Sequence, residues 1–255
     1  MTDASANRTI TIECLRFDPE AGDAPTLQRW DVPYTDDMSV LQGLQYIKDH
    51  LDGSLSFRWS CRMAICGSCG MMLDGVPTLA CSAFLRDYHP GPLRVEPLAH
   101  FPVLRDLVID QGGFLDKLEA VEPWLHPAEP RPLEAGPSVQ TPAQMQAYYR
   151  YSQCINCLLC CAACPQYGLD ENFLGPAPLA LLARWNLDAR DVGWPARRAA
   201  ANSDAGVWGC TLVGHCSEVC PKDVDPARAI NQNKAVSAAD WLGLARWVAP
   251  HRGQR

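Results

Sequence analysis

Thirteen cysteines in 255 residues dominate this sequence, and most of them fall into regular frames. An odd number cannot pair completely into disulfides. The first frame is Cys61, Cys66, Cys69 and Cys81, a C-x4-C-x2-C run followed by a more distant cysteine, with Gly67, Ser68 and Gly70 among the ligands. This is the spacing of plant-type [2Fe-2S] sites. A loop folded around two irons must bring backbone N–H groups to the sulfurs, and glycine lacks the Cβ that would block that approach. Zinc usually takes two short Cys pairs, whereas this loop has one short pair with a four-residue gap before it. A zinc-stabilised binding module is the competing reading, and it would be colourless.

The second frame, Cys154, Cys157, Cys160 and Cys164-Pro165, reads C-x2-C-x2-C-x3-C-P. In the bacterial ferredoxin run of this form the fourth cysteine serves the other cluster. A second copy is therefore expected, and the same offsets laid on Cys220-Pro221 meet Cys210, Val213, Cys216 and Cys220. Exchanging the fourth cysteines gives Cys154, Cys157, Cys160 and Cys220 for a [4Fe-4S] cluster. The other site then has Cys164, Cys210 and Cys216, with Val213 at the vacant corner. Three thiolates and an aliphatic wall cannot bind a fourth iron, so a [3Fe-4S] cluster is expected there. Cys14, at an inward strand position, and Cys161, whose use would break the interval to the Cys-Pro, are expected to be packing thiols.

Composition narrows the function further. Acidic residues exceed basic ones and leave a net charge of -7, which argues against nucleic acid as a partner. Residues 1–9 hold no apolar run before a small-residue cleavage site, so no secretory signal is expected and the thiols should stay reduced inside the cell. No stretch approaches 18 consecutive apolar residues, so membrane contact should be peripheral or through a partner. His50, His89, His100, His126, His215 and His251 form neither a C-x-H pairing nor an H-E-x-x-H helix, and no Gly-rich phosphate loop is present. Without an acid, base or nucleophile constellation, the chain reads as a conductor of electrons.

An α+β fold follows from the patterning. Residues 8–17 and 27–34 read as strands, Val40 to Leu51 as a helix capped by Asp37 or Ser39 and stopped at Asp52-Gly53, 71–79 as a hairpin turning at Asp74-Gly75, and 93–98 as one more strand. Val103, Leu104, Leu107, Val108, Phe114, Leu115, Leu118 and Val121 fall at helical spacings. Pro123 to Pro142 holds six prolines, a linker or a loop pinned against something. Helices are expected over 142–151, 178–185, 196–202 and 225–247, so the second half is mostly α.

At the cysteine motifs the sequence resembles the iron-sulfur subunit of succinate dehydrogenase and fumarate reductase, from about Ile10 to about Val248. Ser60 to Gly70, Cys154 to Gly168 and Val207 to Lys222 carry the resemblance. Cys69 stands where some succinate dehydrogenases have aspartate, and Tyr167-Gly168 where they have a tryptophan pair, which favours the fumarate reductase branch. The resemblance implies a β-grasp plant-type ferredoxin domain over 1–105, a connecting helix and Pro-rich linker over 106–142, and an all-α two-cluster ferredoxin domain over 143–255. It further implies three clusters in series between a flavoprotein carrying FAD and a membrane anchor where quinone binds, at the cytoplasmic face of the inner (plasma) membrane. Lys234, with Thr211, Leu212 and Asn231, matches positions at the quinone site of that branch. A lysine there can donate to a quinone carbonyl. An electron-input subunit of a different dehydrogenase is the alternative, and it would purify without a succinate-oxidising flavoprotein. Trp241, Leu242, Leu244, Trp247 and Val248 offer a face for an anchor, but packing of a last helix on its own domain is the simpler expectation.

Overall fold

The computed structural model describes residues 8–22 and 24–244, and the chain divides into two compact units. The first comprises the residues up to Gln111 together with Ile155–Ala163; the second comprises Gly112–Cys154 and the residues from Cys164 onward.

In the first unit, strands β1 (Arg8–Arg16), β2 (Thr26–Tyr34), β3 (Gly70–Leu73), β4 (Val76–Leu79) and β5 (Leu93–Glu96) form one sheet in the order β2-β1-β5-β3-β4. β1 pairs parallel with β5 and antiparallel with β2, while the Asp74-Gly75 turn closes β3 onto β4. Alternation along β1 sends Ile10, Ile12 and Cys14 inward, all essentially unexposed. Helix α1 (Val40–Tyr46) starts at Ser39, whose hydroxyl accepts from the Gln42 amide in a capping box. It buries Val40, Leu41, Gly43 and Leu44. A Cβ on Gly43 would stand 3.0 Å from Ile12 Cδ1, so the missing side chain is what lets helix and sheet approach. A π turn over Ile47–Leu51 ends the helix at Asp52, as expected from Asp52-Gly53. This mixed sheet crossed by one helix is the β-grasp arrangement.

The helical expectation for Val103 to Val121 is corrected in its first half. Val103–Arg105 (β6) and Val108–Ile109 (β7) pair antiparallel, and the helix, α2, spans only Gly112–Glu119. The cause is Asp106 in the intervening turn. Its side chain is almost fully buried and accepts from Arg16 Nε at 3.0 Å, from the Phe17 amide at 3.0 Å and from the Ser56 amide at 2.8 Å. A short helical spacing cannot compete with three bonds to a buried carboxylate. The segment Ile155–Ala163 contributes the short helix α4 (Leu159–Ala162), which packs near β4.

The second unit is helical: α2, α3 (Pro142–Tyr148), α5 (Pro165–Leu169), α6 (Pro176–Asn186), α7 (Trp194–Ala201), α8 (His215–Glu218) and α9 (Pro226–Trp241). Tyr151, Ala180, Ala183, Val224 and Ala229 form a core between α6 and α9, where small residues let the two helices approach. The proline-rich stretch is pinned. Arg197 on α7, wholly buried, donates to the Glu122 carbonyl at 3.0 Å and the Trp124 carbonyl at 2.6 Å, and pairs with Asp191 at 2.7 Å. Farther along, Gln140 donates to Asp188 at 2.9 Å. Burial pushes the Asp188 carboxyl up, but hydrogen bonds from Arg190 and Arg184 outweigh it and hold it at about 2.

The expected packing of the last helix is also corrected. Trp241 is 85% exposed and Leu242 60%, with Leu244 exposed as well; Trp247 and Val248 lie outside the described residues. α9 buries Ala229, Ile230, Asn233 and Ser237 instead, so its inward face is spent before Trp241 is reached. Among the described residues no helix is long and apolar enough to cross a membrane.

Removing the Arg197 guanidinium with Arg197→Met should cost about 3 kcal/mol, because Asp191 is left buried without its charge partner. A lower denaturation midpoint and faster proteolytic cleavage within 123–142 are the expected readings. An unchanged cleavage pattern would mean that the stretch is held by something else.

Candidate metal centres

The first cysteine frame lies wholly in the first unit. β3 and β4 pair with Gly70 opposite Leu79, which brings Cys69 and Cys81 to the same end of the hairpin. The loop before them turns through the left-handed region at Arg62 (φ 59°), Ala64 (φ 56°) and Gly67 (φ 76°). Those turns aim backbone amides at sulfur. Cys61 Sγ accepts from the amides of Met63 at 3.4 Å, Ile65 at 3.3 Å and Cys66 at 3.3 Å. Cys66 Sγ accepts from the Cys61 amide at 3.4 Å, and Cys81 Sγ from the Ala64 amide at 3.3 Å. Successive amides converging in this way form a concavity for anionic sulfur.

The thiols in this frame are not equivalent. A hydrogen bond from the Ser68 side chain, helped by the Cys61 and Ser68 amides, lowers the Cys66 thiol to about 6. Burial pushes the Cys69 thiol up to about 12, so a bound metal is needed to ionise it near neutrality. Among the described residues no three His, Cys, Asp or Glu side chains are set to hold a single metal ion. The fit to a cluster rests on the amide–sulfur bonds and the left-handed turns, which are what a polynuclear sulfur centre requires.

Of the second frame, Cys157 and Cys160 belong to the first unit, where Asn156 (φ 51°) and Leu158 (φ 67°) again take left-handed torsions and Cys160 lies buried in α4, one residue after its start. In the second, Cys154 and Cys220 pack against the core of Tyr151, Ala180, Ala183, Val224 and Ala229, and Cys220 Sγ accepts from the Val224 amide at 3.4 Å. Cys14 and Cys161 are both fully buried, and burial pushes the Cys14 thiol up to about 12.

The third set falls within the second unit. Cys164, Cys210 and Cys216 line one pocket with Phe173, Ile230 and the stretch Thr211 to His215, which includes Val213. Leu212 (φ 61°) and Gly214 (φ 92°) form its left-handed turns, and the Leu212 amide donates to Cys210 Sγ at 3.4 Å. Three sulfurs and one valine thus face a common space. Lys234 Nζ donates to the Cys210 carbonyl at 2.7 Å and lies 5.8 Å from the Trp208 ring centroid. Thr211 and Leu212 line the pocket, whereas Asn231 is exposed and not among its lining residues. Sequence reasoning gave Ser68 no hydrogen-bonding role and did not single out Trp208; a hydroxyl between two ligand cysteines was the only available signal for the first.

Two family models match the chain: a 2Fe-2S iron-sulfur cluster binding domain over residues 11–116 and a 4Fe-4S dicluster domain over 150–224. The fumarate reductase iron-sulfur subunit of Mycobacterium tuberculosis is 56% identical over 233 residues, covering 91% of this chain and 94% of its own length. That of Escherichia coli is 53% identical over 235 residues, covering 92% and 96%. Among solved structures, a chain of the Mycobacterium smegmatis Sdh1 complex in the apo form superposes with a TM-score of 0.83 at 26% identity, covering 92% of this chain and 98% of that one. The match runs through both ferredoxin-like regions at once, and the chain belongs to the family of fumarate reductase and succinate dehydrogenase iron-sulfur subunits.

Proposed function

We propose that this chain carries electrons between a flavoprotein subunit holding FAD and quinone at a membrane anchor, as the iron-sulfur subunit of a succinate:quinone oxidoreductase of the fumarate reductase type. Bound iron-sulfur clusters supply one-electron carriers whose potentials follow cluster type, hydrogen bonding to sulfur, and exposure. The chain's own part is to hold and order them. Cys61, Cys66, Cys69 and Cys81 would hold [2Fe-2S], and Cys154, Cys157, Cys160 and Cys220 would hold [4Fe-4S]. Cys164, Cys210 and Cys216 would hold [3Fe-4S].

The observation that carries the last assignment is Val213 lining the pocket of Cys164, Cys210 and Cys216. An isopropyl group there offers no ligand to a fourth iron. Lys234 is held beside this site through the Cys210 carbonyl. An ammonium has three donors, so one bond to that carbonyl leaves two for a quinone oxygen and its surroundings. The exposed Trp208, Trp241 and Leu242 supply an apolar surface on the same unit, which suits an anchor subunit and a peripheral position at the cytoplasmic face of the inner membrane.

Anaerobically prepared protein should contain about nine irons per chain. Paramagnetic resonance of the oxidised protein should give a [3Fe-4S] signal, and Val213→Cys should diminish it as a fourth iron enters; a full signal in that variant would refute the vacant corner. Ser68→Ala, which removes a donor to Cys66, should shift the [2Fe-2S] midpoint to a more negative potential in a redox titration. The same midpoint in variant and parent would show that Ser68 does not bond the ligand sulfur in the loaded protein.

A further inference from the structure

Gly67 and Gly70 bracket Cys69 in the first frame, and the segment 155–163 of the same unit lies against both. An ideal Cβ on Gly67 would stand 2.8 Å from Cys157 Cβ, 2.9 Å from Cys157 Cα and 3.2 Å from the Ile155 carbonyl oxygen. One on Gly70 would stand 3.1 Å from the Cys157 carbonyl oxygen and 3.1 Å from Leu159 Cδ2. Two of these distances are below anything a real Cβ tolerates, and the neighbours at Gly67 are a backbone atom and the first side-chain atom, which cannot swing away. Gly67 directly follows Cys66, and Gly75, in the β3–β4 turn, has a comparable positive φ of 79° with nothing within 4 Å. Positive φ therefore accounts for Gly75, whereas Gly67 also has close approach to another ligand loop as its reason.

Resting on the ligand assignment above, we infer that Gly67 and Gly70 are positioning residues for electron transfer. They bring the [2Fe-2S] loop into van der Waals contact with Cys157, a [4Fe-4S] ligand, and so set the gap that an electron crosses between these two centres. One electron leaves the reduced first centre and enters the oxidised second; no bond forms or breaks, and no proton is required. Electron transfer through space weakens steeply with separation, so a methyl group wedged between the loops acts on the rate without altering any ligand.

The test uses the complete complex carrying Gly67→Ala, Gly70→Ala or Gly75→Ala, reduced with dithionite. Iron content and visible spectra report the clusters, and microwave power saturation of the [2Fe-2S] resonance reports its magnetic coupling to the reduced [4Fe-4S] centre. Gly70→Ala, which does not require a left-handed alanine and asks its neighbours to give by only a few tenths of an ångström, should keep both clusters and weaken the relaxation enhancement, with slower appearance of electrons at the second centre after rapid reduction. Gly67→Ala should show the same weakening or fail to assemble; Gly75→Ala should match the parent. Parental coupling and rate in Gly70→Ala would overturn the inference, as would cluster loss there while Gly75→Ala stays loaded. Cys157→Ala separates the two layers: an intact [4Fe-4S] signal in that variant would reject the ligand assignment itself.

Discussion

Sulfur that carries negative charge is best met by backbone amides, and a loop of L-residues aims consecutive amides at one point by stepping through left-handed torsions. This constraint recurs in every cysteine loop. Arg62, Ala64, Asn156, Leu158 and Leu212 all have positive φ without being glycine, and each sits between or beside proposed ligands. A left-handed residue costs about 1 kcal/mol, so these loops persist because their flanks are fixed. The β3–β4 hairpin holds one end of the first loop, and the Asp106 cluster fixes Ser56 upstream of the other.

The two units solve the same problem with different scaffolds. In the first, a sheet positions the candidate ligands, and neighbouring thiols such as Cys66 and Cys69 are displaced in opposite directions by hydrogen bonding and by burial. In the second, short helices begin or end at the cysteines: Cys164 precedes Pro165 at the start of α5, and Cys216 lies within α8. Lys234 reaches from α9 to the Cys210 carbonyl, beside a pocket whose lining mixes three cysteines, Thr211 and His215 with apolar side chains such as Phe173, Val213 and Ile230. Charge placed at that carbonyl acts on the ligand behind it as well as on anything approaching from outside.

The cysteine frames were open to sequence reasoning because cluster chemistry fixes intervals between cysteines, and the structure sets left-handed turns beside those intervals. The strands and the start of α1 were equally open: Ile10, Ile12 and Cys14 alternate, and of the two cap residues the spacing allowed, Asp37 and Ser39, the structure uses Ser39. What could not be read was long-range polar pairing. Val103 to Val108 carries helical spacing, yet Asp106 turns the backbone because Arg16 and the Phe17 and Ser56 amides, far away in sequence, close on its carboxylate. Arg197 reads as a surface arginine on a helix, and its burial under the Glu122 and Trp124 carbonyls is a tertiary fact. A boundary drawn along the chain likewise cannot express that 155–163 clusters with residues far upstream.

That last feature bears on how the protein is made. A ribosome delivers the sheet and Cys61, Cys66, Cys69 and Cys81 well before residue 163 emerges, and domains tend to fold as they are synthesised. The flank formed by Gly67 and Gly70 has to stay open through the translation of some ninety further residues. During that interval a nascent chain exposes reactive thiols beside an unfilled groove, which is when protection by a chaperone or by early metal loading matters most.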